Sequence, residues 1–185
     1  MERMWDEVFA ILRPGLGCTD ETLAQAETEL GFPLPPSYRS FCRHCGAGLA
    51  VGTFRIALPG QAQGADLVSV SEAVAYGVAK ARAEQDLGPF EVEGDDSSVI
   101  DRACFFGRSE GGELLFWDVV PGRSEYEIWV LGADLESVRF GGPDLADFLR
   151  RTQTPAVRGI LGMAAAPLPS IFEGDDAVPA GTLLS

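Results

Sequence analysis

Between Glu27 and Gly46 the chain reads ETELGFPLPPSYRSFCRHCG, with a glycine and then three prolines in four positions separating two helical patterns. Proline lacks an N–H and fixes φ, so no helix runs through Pro33, Pro35 and Pro36. Upstream, Thr19 is a good N-cap. Asp20 and Glu21 suit the positive end of a helix, and Leu23, Ala26 and Leu30 form its apolar stripe. Gly31 stands where such a helix needs a residue that reaches positive φ without strain. Downstream, Pro36 or Ser37 opens a second helix, where a missing N–H costs nothing. Tyr38, Phe41, Cys42 and Cys45 then fall at i, i+3, i+4 and i+7, one buried face, and Gly46 and Gly48 end it. The stretch therefore predicts an αα-hairpin whose reversal is set by proline.

Around this hairpin the texture is mixed. Met4, Trp5, Val8, Ile11 and Leu12 recur at helical spacing up to Pro14-Gly15, which predicts a first helix. TFRIAL (53–58) and DLVSV (66–70) read as strands, with Ser71 capping an alanine-rich helix to about Asp86. GPFEVEGDDSSVID (88–101) reads as an acidic loop. ACFFG (103–107) and ELLFWDV (113–119) flank Gly111-Gly112 as a hairpin. EYEIWVL (125–131) alternates, with Tyr126, Ile128 and Val130 on one face and Trp129 and Leu131 on the other. LESVRF (135–140) alternates too, and Pro143 opens a last helix with Leu145, Phe148 and Leu149 as its face. The reading is one domain over 1–152 followed by a Pro/Gly/Ala-rich extension over 153–185. That extension is either a flexible tail or a segment that docks through Ile160, Leu161, Met163, Ile171 and Phe172.

With 185 residues and 46% hydrophobic content, the chain buries a core without disulfides or metal. Its formal net charge of -14 argues against a nucleic-acid partner, because phosphates would be repelled. It suits a basic protein partner, or serves solubility alone. No run is long and apolar enough for a membrane span, and four scattered cysteines form no disulfide framework. The expected setting is the cytoplasm.

The first half resembles the signature of the SMI1/KNR4 family of the SUKH superfamily. That signature is a helix ending in Glu-x-x-Leu-Gly, then x-x-Leu-Pro-x-x-Tyr-x-x-Phe, then a turn at Asn-Gly. Glu27, Leu30, Gly31, Leu34, Pro35, Tyr38, Phe41 and Gly46 stand at the matching positions, with Cys45 in place of the Asn. LVSVSEAVAYG, the hairpin ending in Asp118, and DLADFLRR are similar to later family segments, so the likeness covers residues 3–151. It implies an α+β fold: a twisted, largely antiparallel sheet with helices packed on it. It also implies a non-enzymatic binding protein, either a bacterial immunity protein that neutralises a nucleic-acid-modifying toxin or a regulatory interaction module with a cellular partner. No cofactor is implied. The expected state is a monomer or a weak homodimer.

Several local patterns offer chemistry. Cys42-x-x-Cys45 suits a redox or zinc site, but both cysteines fall late in a helix on its apolar face, where buried inert thiols are expected. GRSEG (107–111) matches a nucleophile elbow, yet its serine lies between strands and the only histidine, His44, is upstream. GAGLAVG (46–52) follows a helix rather than a strand and reads as a helix stop. The acidic run Glu91, Glu93, Asp95, Asp96 and Asp101 lies within eleven residues without a base between them. Its spacing does not match a calcium loop, so a solvated loop or a partner-binding surface stands ahead of a metal or acid–base site.

Overall fold

The computed structural model describes residues 3–62 and 64–175. The hairpin folds as its residues require. Helix α2 (Asp20–Leu30) is capped by Thr19, whose hydroxyl accepts from the Thr22 amide. It ends at Gly31 in the left-handed region, φ 84°. Helix α3 (Pro36–His44) starts on proline and buries Tyr38, Phe41 and Cys42. Tyr38 stacks edge-on against Trp117 with centroids 4.8 Å apart, and its hydroxyl donates to the Ala57 carbonyl at 2.6 Å.

The remaining elements are α1 (Arg3–Val8), β1 (Ile11–Arg13), β2 (Gly48–Ala50), β3 (Phe54–Ile56), α4 (Leu67–Glu84), β4 (Glu91–Val92), α5 (Ser98–Asp101), β5 (Ala103–Ser109), β6 (Leu114–Asp118), β7 (Glu127–Leu131), β8 (Ser137–Gly142), α6 (Leu145–Thr152), α7 (Val157–Leu161) and β9 (Ile171–Gly174). One nine-stranded sheet runs β1-β9-β2-β3-β5-β6-β7-β8-β4. Its pairs are antiparallel except at the two ends, where β1 runs parallel to β9 and β4 parallel to β8. This is the α+β, largely antiparallel architecture expected.

The strands alternate as their sequences do. Phe106, Leu115, Trp117, Ile128 and Val130 enter the larger core with α1, α2, α3 and α6. Phe105, Phe116, Trp129 and Leu131 enter a smaller cluster on the other face, against Val74 and Val78 of α4.

Four local expectations are corrected. The helical spacing from Met4 to Leu12 breaks after Val8: Ser170 takes the Ala10 amide on its hydroxyl and the Ile11 amide on its carbonyl, and Ile11–Arg13 becomes β1. A distant strand supplies the partner, which no local period reveals. DLVSV is not a strand: Asp66 caps α4 by accepting from the Ser69 amide, so the run is the helix's first turn. The 88–101 loop contains both β4 and α5. Strand β8 begins at Ser137 rather than Leu135, because the Asp134 carboxylate gathers the Glu136 and Ser137 amides into a turn with Leu135 at φ 61°.

Residues 153–175 hold α7 and then β9, which joins the same sheet. Strand β9 lies between β1 and β2, and Phe172 is fully buried against Phe9 and Phe41. Ile160 is buried as well, whereas Met163 is 82% exposed. The chain beyond Asp175 lies outside the described residues.

Candidate functional site

The residues matching the family signature pack in and around the α2–α3 hairpin. Glu27 pairs with Arg39 at 3.4 Å across the hairpin, and Leu30 packs at the core's edge. Leu34 and Pro35 are buried where α3 begins. Phe41 packs edge-on against Trp5 at 5.3 Å. Gly46 holds φ 75° where any Cβ would lie 2.6 Å from the Leu16 carbonyl oxygen. Two further ties are invisible in the sequence. Glu125 accepts from the Ser37 amide at 2.7 Å and its hydroxyl at 2.9 Å, while Ser37 Oγ takes the Leu145 amide. A carboxylate from the β6–β7 connection thus caps α3 and joins it to α6. Asp118, nearly buried, takes a bidentate pair from Arg102 at 2.6 and 2.9 Å, locking the end of β6 to α5.

The four cysteines are free thiols. Cys42 and Cys45 lie in the core, and burial pushes both thiols far up from their ordinary range. Cys104 is pushed up to about 12 by the same desolvation. Among the described residues no three His, Cys, Asp or Glu side chains come together as metal ligands. Ser109 of the GRSEG run sits at the end of β5, donates to the Glu113 carboxylate and accepts from the Glu113 amide, contacts that close the β5–β6 turn.

The acidic run occupies the free edge of the sheet. Glu91 is in β4, and its amide donates to the Glu136 carbonyl. The Glu93 amide donates to Val138, while the Glu93 carboxylate accepts from the Phe140 amide at 2.9 Å. Asp95 sits at φ 62°, and its amide closes a turn on the Val92 carbonyl. Asp96 accepts from the Ser98 hydroxyl and amide, which hold its carboxyl below the usual range. Asp101 is exposed at the end of α5.

Glu91, Glu93 and Asp95 line one open depression of about 550 Å³ together with Phe90, Ser97 and Arg139. Asp96 and Asp101 lie outside that lining, on the turn and short helix leading to β5. The two-residue β4, closed by the Asp95 turn, is a poor template for an added strand. A partner would therefore meet side chains here, with the Glu93 carboxylate held by the Phe140 amide rather than free to collapse away. Arg139, inside this depression, was not legible as a site residue, because it comes from β8 by parallel pairing with β4.

No helix among the described residues is long and apolar enough to cross a membrane. No curated relative matches the chain. A model of the SMI1 / KNR4 family (SUKH-1) matches residues 17–151, well over half of the sequence and from the hairpin through α6. The chain belongs to the SMI1/KNR4 family, and that membership supports an immunity-type or other protein-interaction role over a catalytic one.

Proposed function

We propose that this protein is an immunity protein, which binds a nucleic-acid-modifying toxin domain and covers its basic active surface with the acidic edge at β4. The observation that carries the reading is the depression at that edge, where Glu91, Glu93 and Asp95 converge in a chain of net charge -14. A toxin that grips phosphates presents Lys and Arg side chains, and fixed carboxylates compete for them as the phosphates do. Complementary charge also speeds encounter, which suits an inhibitor that must act before the toxin does.

The test takes as partner a toxin domain sought in the coding region next to that of this chain. Association is followed for the wild type and for a variant with Glu91, Glu93, Asp95 and Asp96 changed to their amides. At low salt the variant associates several-fold more slowly. The gap narrows as the screening length falls from about 30 Å at 0.01 M to about 8 Å at physiological salt. Equal association rates at low salt would remove the β4 edge from the interface. Absence of any binding to that domain would remove the immunity reading itself.

A further inference from the structure

Helix α4 spans 18 residues, about 27 Å at 1.5 Å per residue, and only Leu67 and Ser71 of it are buried. A helix this rich in Ala and Val is ordinarily covered on more than one side. Its inner stripe is accounted for. Val70 packs on the larger core, and Val74 and Val78 pack on the smaller one. Arg82 fastens the last turn by donating to the Leu135 and Gly88 carbonyls, with its guanidinium 3.6 Å over the Phe90 ring. Among the described residues the outer stripe has no such cover. Ala73, Ala79 and Tyr76 are exposed, and Tyr76 is exposed by 72%.

The charges on this stripe are arranged about its centre. Glu72, Tyr76 and Lys80 follow at intervals of four, so they stand above one another on one face. Among the described residues Lys80 pairs only with its own Glu84, at 3.9 Å with both side chains more than 60% exposed, a contact of little strength. If a second copy of the helix is laid antiparallel with its Tyr76 over the first, the sequence becomes its own complement. Glu72 meets Lys80 of the partner subunit, Lys80 meets Glu72 of the partner subunit, and Ala73 and Ala79 let the helices approach. A twofold interface requires this self-complementarity, since each contact occurs twice.

We propose that the outer face of α4 is a homodimer interface, formed by antiparallel pairing of two copies about Tyr76. The contact is small, because one helix face of this length gives less area than a standard stable interface. The dimer is therefore weak and concentration-dependent. The proposal does not depend on the toxin reading, because α4 and the β4 edge use different residues.

The test is sedimentation equilibrium of the full chain from micromolar to millimolar concentration, with four variants. The wild type shows a reversible monomer–dimer equilibrium, and Tyr76→Glu removes it. Glu72→Lys and Lys80→Glu each place like charges opposite one another at two sites, raising the dissociation constant about tenfold or more. The double variant restores both pairs and returns to within about threefold of wild type. Net charge alone predicts otherwise. Glu72→Lys takes the chain from -14 to -12 and would strengthen association, while Lys80→Glu takes it to -16 and would weaken it. All changed side chains are exposed, and helicity measured alongside verifies folding. A wild type that stays monomeric overturns the proposal. So does a Tyr76→Glu variant that dimerises as well as wild type, or a Glu72→Lys variant that dimerises more tightly.

Discussion

Phe172 offers the sharpest test of whether residues 153–175 belong to the cooperative unit. Its side chain is fully buried, with ring centroids 5.7 Å from Phe9 and 5.5 Å from Phe41, the latter pair nearly perpendicular at 88°. Phe41 in turn packs on Trp5 at 5.3 Å, so Phe172 closes a run of four aromatic rings joining α1, α3 and β9. Phe172→Ala removes a buried ring from this contact and leaves a cavity among rigid neighbours that collapse poorly. Such truncations cost about 3–5 kcal/mol. Against a typical total of about 5–15 kcal/mol, that is a large fraction of the stability. At about 3 °C per kcal/mol for a chain of this size, the midpoint falls by about 12 °C. The assay is urea denaturation followed by tryptophan fluorescence, beside thermal unfolding by circular dichroism. Met163→Ala, at a position 82% exposed in the same segment, serves as control and changes stability by less than about 0.5 kcal/mol. A Phe172→Ala loss below about 1 kcal/mol would refute the reasoning. So would a separate early transition in the wild type that leaves Trp117 and Trp129 unperturbed, because β9 would then be an appendage.

Two further outcomes follow from the thiols and from Glu125. The Cys18 thiol is lowered by its hydrogen bond with Cys42, while burial raises Cys42, Cys45 and Cys104. Mild alkylation at pH 8 therefore labels one thiol quickly, and Cys18→Ser abolishes that fast phase; stoichiometric zinc in the purified protein, or fast labelling that survives Cys18→Ser, would contradict this. Burial raises the Glu125 carboxyl despite the two hydrogen bonds from Ser37. A raised acid binds its proton more tightly folded than unfolded, so its contribution is greatest below the unfolded value and is lost as pH rises through the folded one. Glu125→Gln keeps an acceptor for the Ser37 amide and cannot ionise, so its stability relative to wild type improves between pH 4 and pH 7. A difference that stays constant across that range would show that Glu125 is not desolvated by the fold.

The α2–α3 hairpin was legible because everything that makes it is local: a cap at Thr19, a left-handed stop at Gly31, and prolines that forbid continuation. The faces of β7 were legible for a similar reason, since alternation from Tyr126 to Leu131 sorts side chains between two cores whatever the neighbours are. Ile11 and Leu12 misled because they fit a helical period, and the choice was made by Ser170, far away in sequence. Asp66 misled in the opposite way. Its cap converts the β-branched run Val68–Val70 into the first turn of a helix, and a short apolar run does not reveal which it will be. Of the acidic run, the density of charge was visible, but the division of labour was not. Glu93 holds the Phe140 amide, which emerges only once β4 is placed beside β8, whereas Asp96 closes its own turn on Ser98. Glu125 gave no signal, because its role depends on an 88-residue separation from Ser37.

The place of β9 also sets the order in which this molecule is completed during synthesis. Strands β1 and β2 leave the ribosome early, yet neither pairs with the other, and the strand between them arrives about 160 residues after β1. Until then β1 has no partner and β2 carries an open edge. The nascent sheet thus waits with a vacant slot next to its most aromatic packing. Closing such a long loop is slow, and an unpaired edge held open invites pairing with another chain. Rapid overproduction should therefore favour misassembly at this slot, and slower synthesis or an early-acting chaperone should favour the native product.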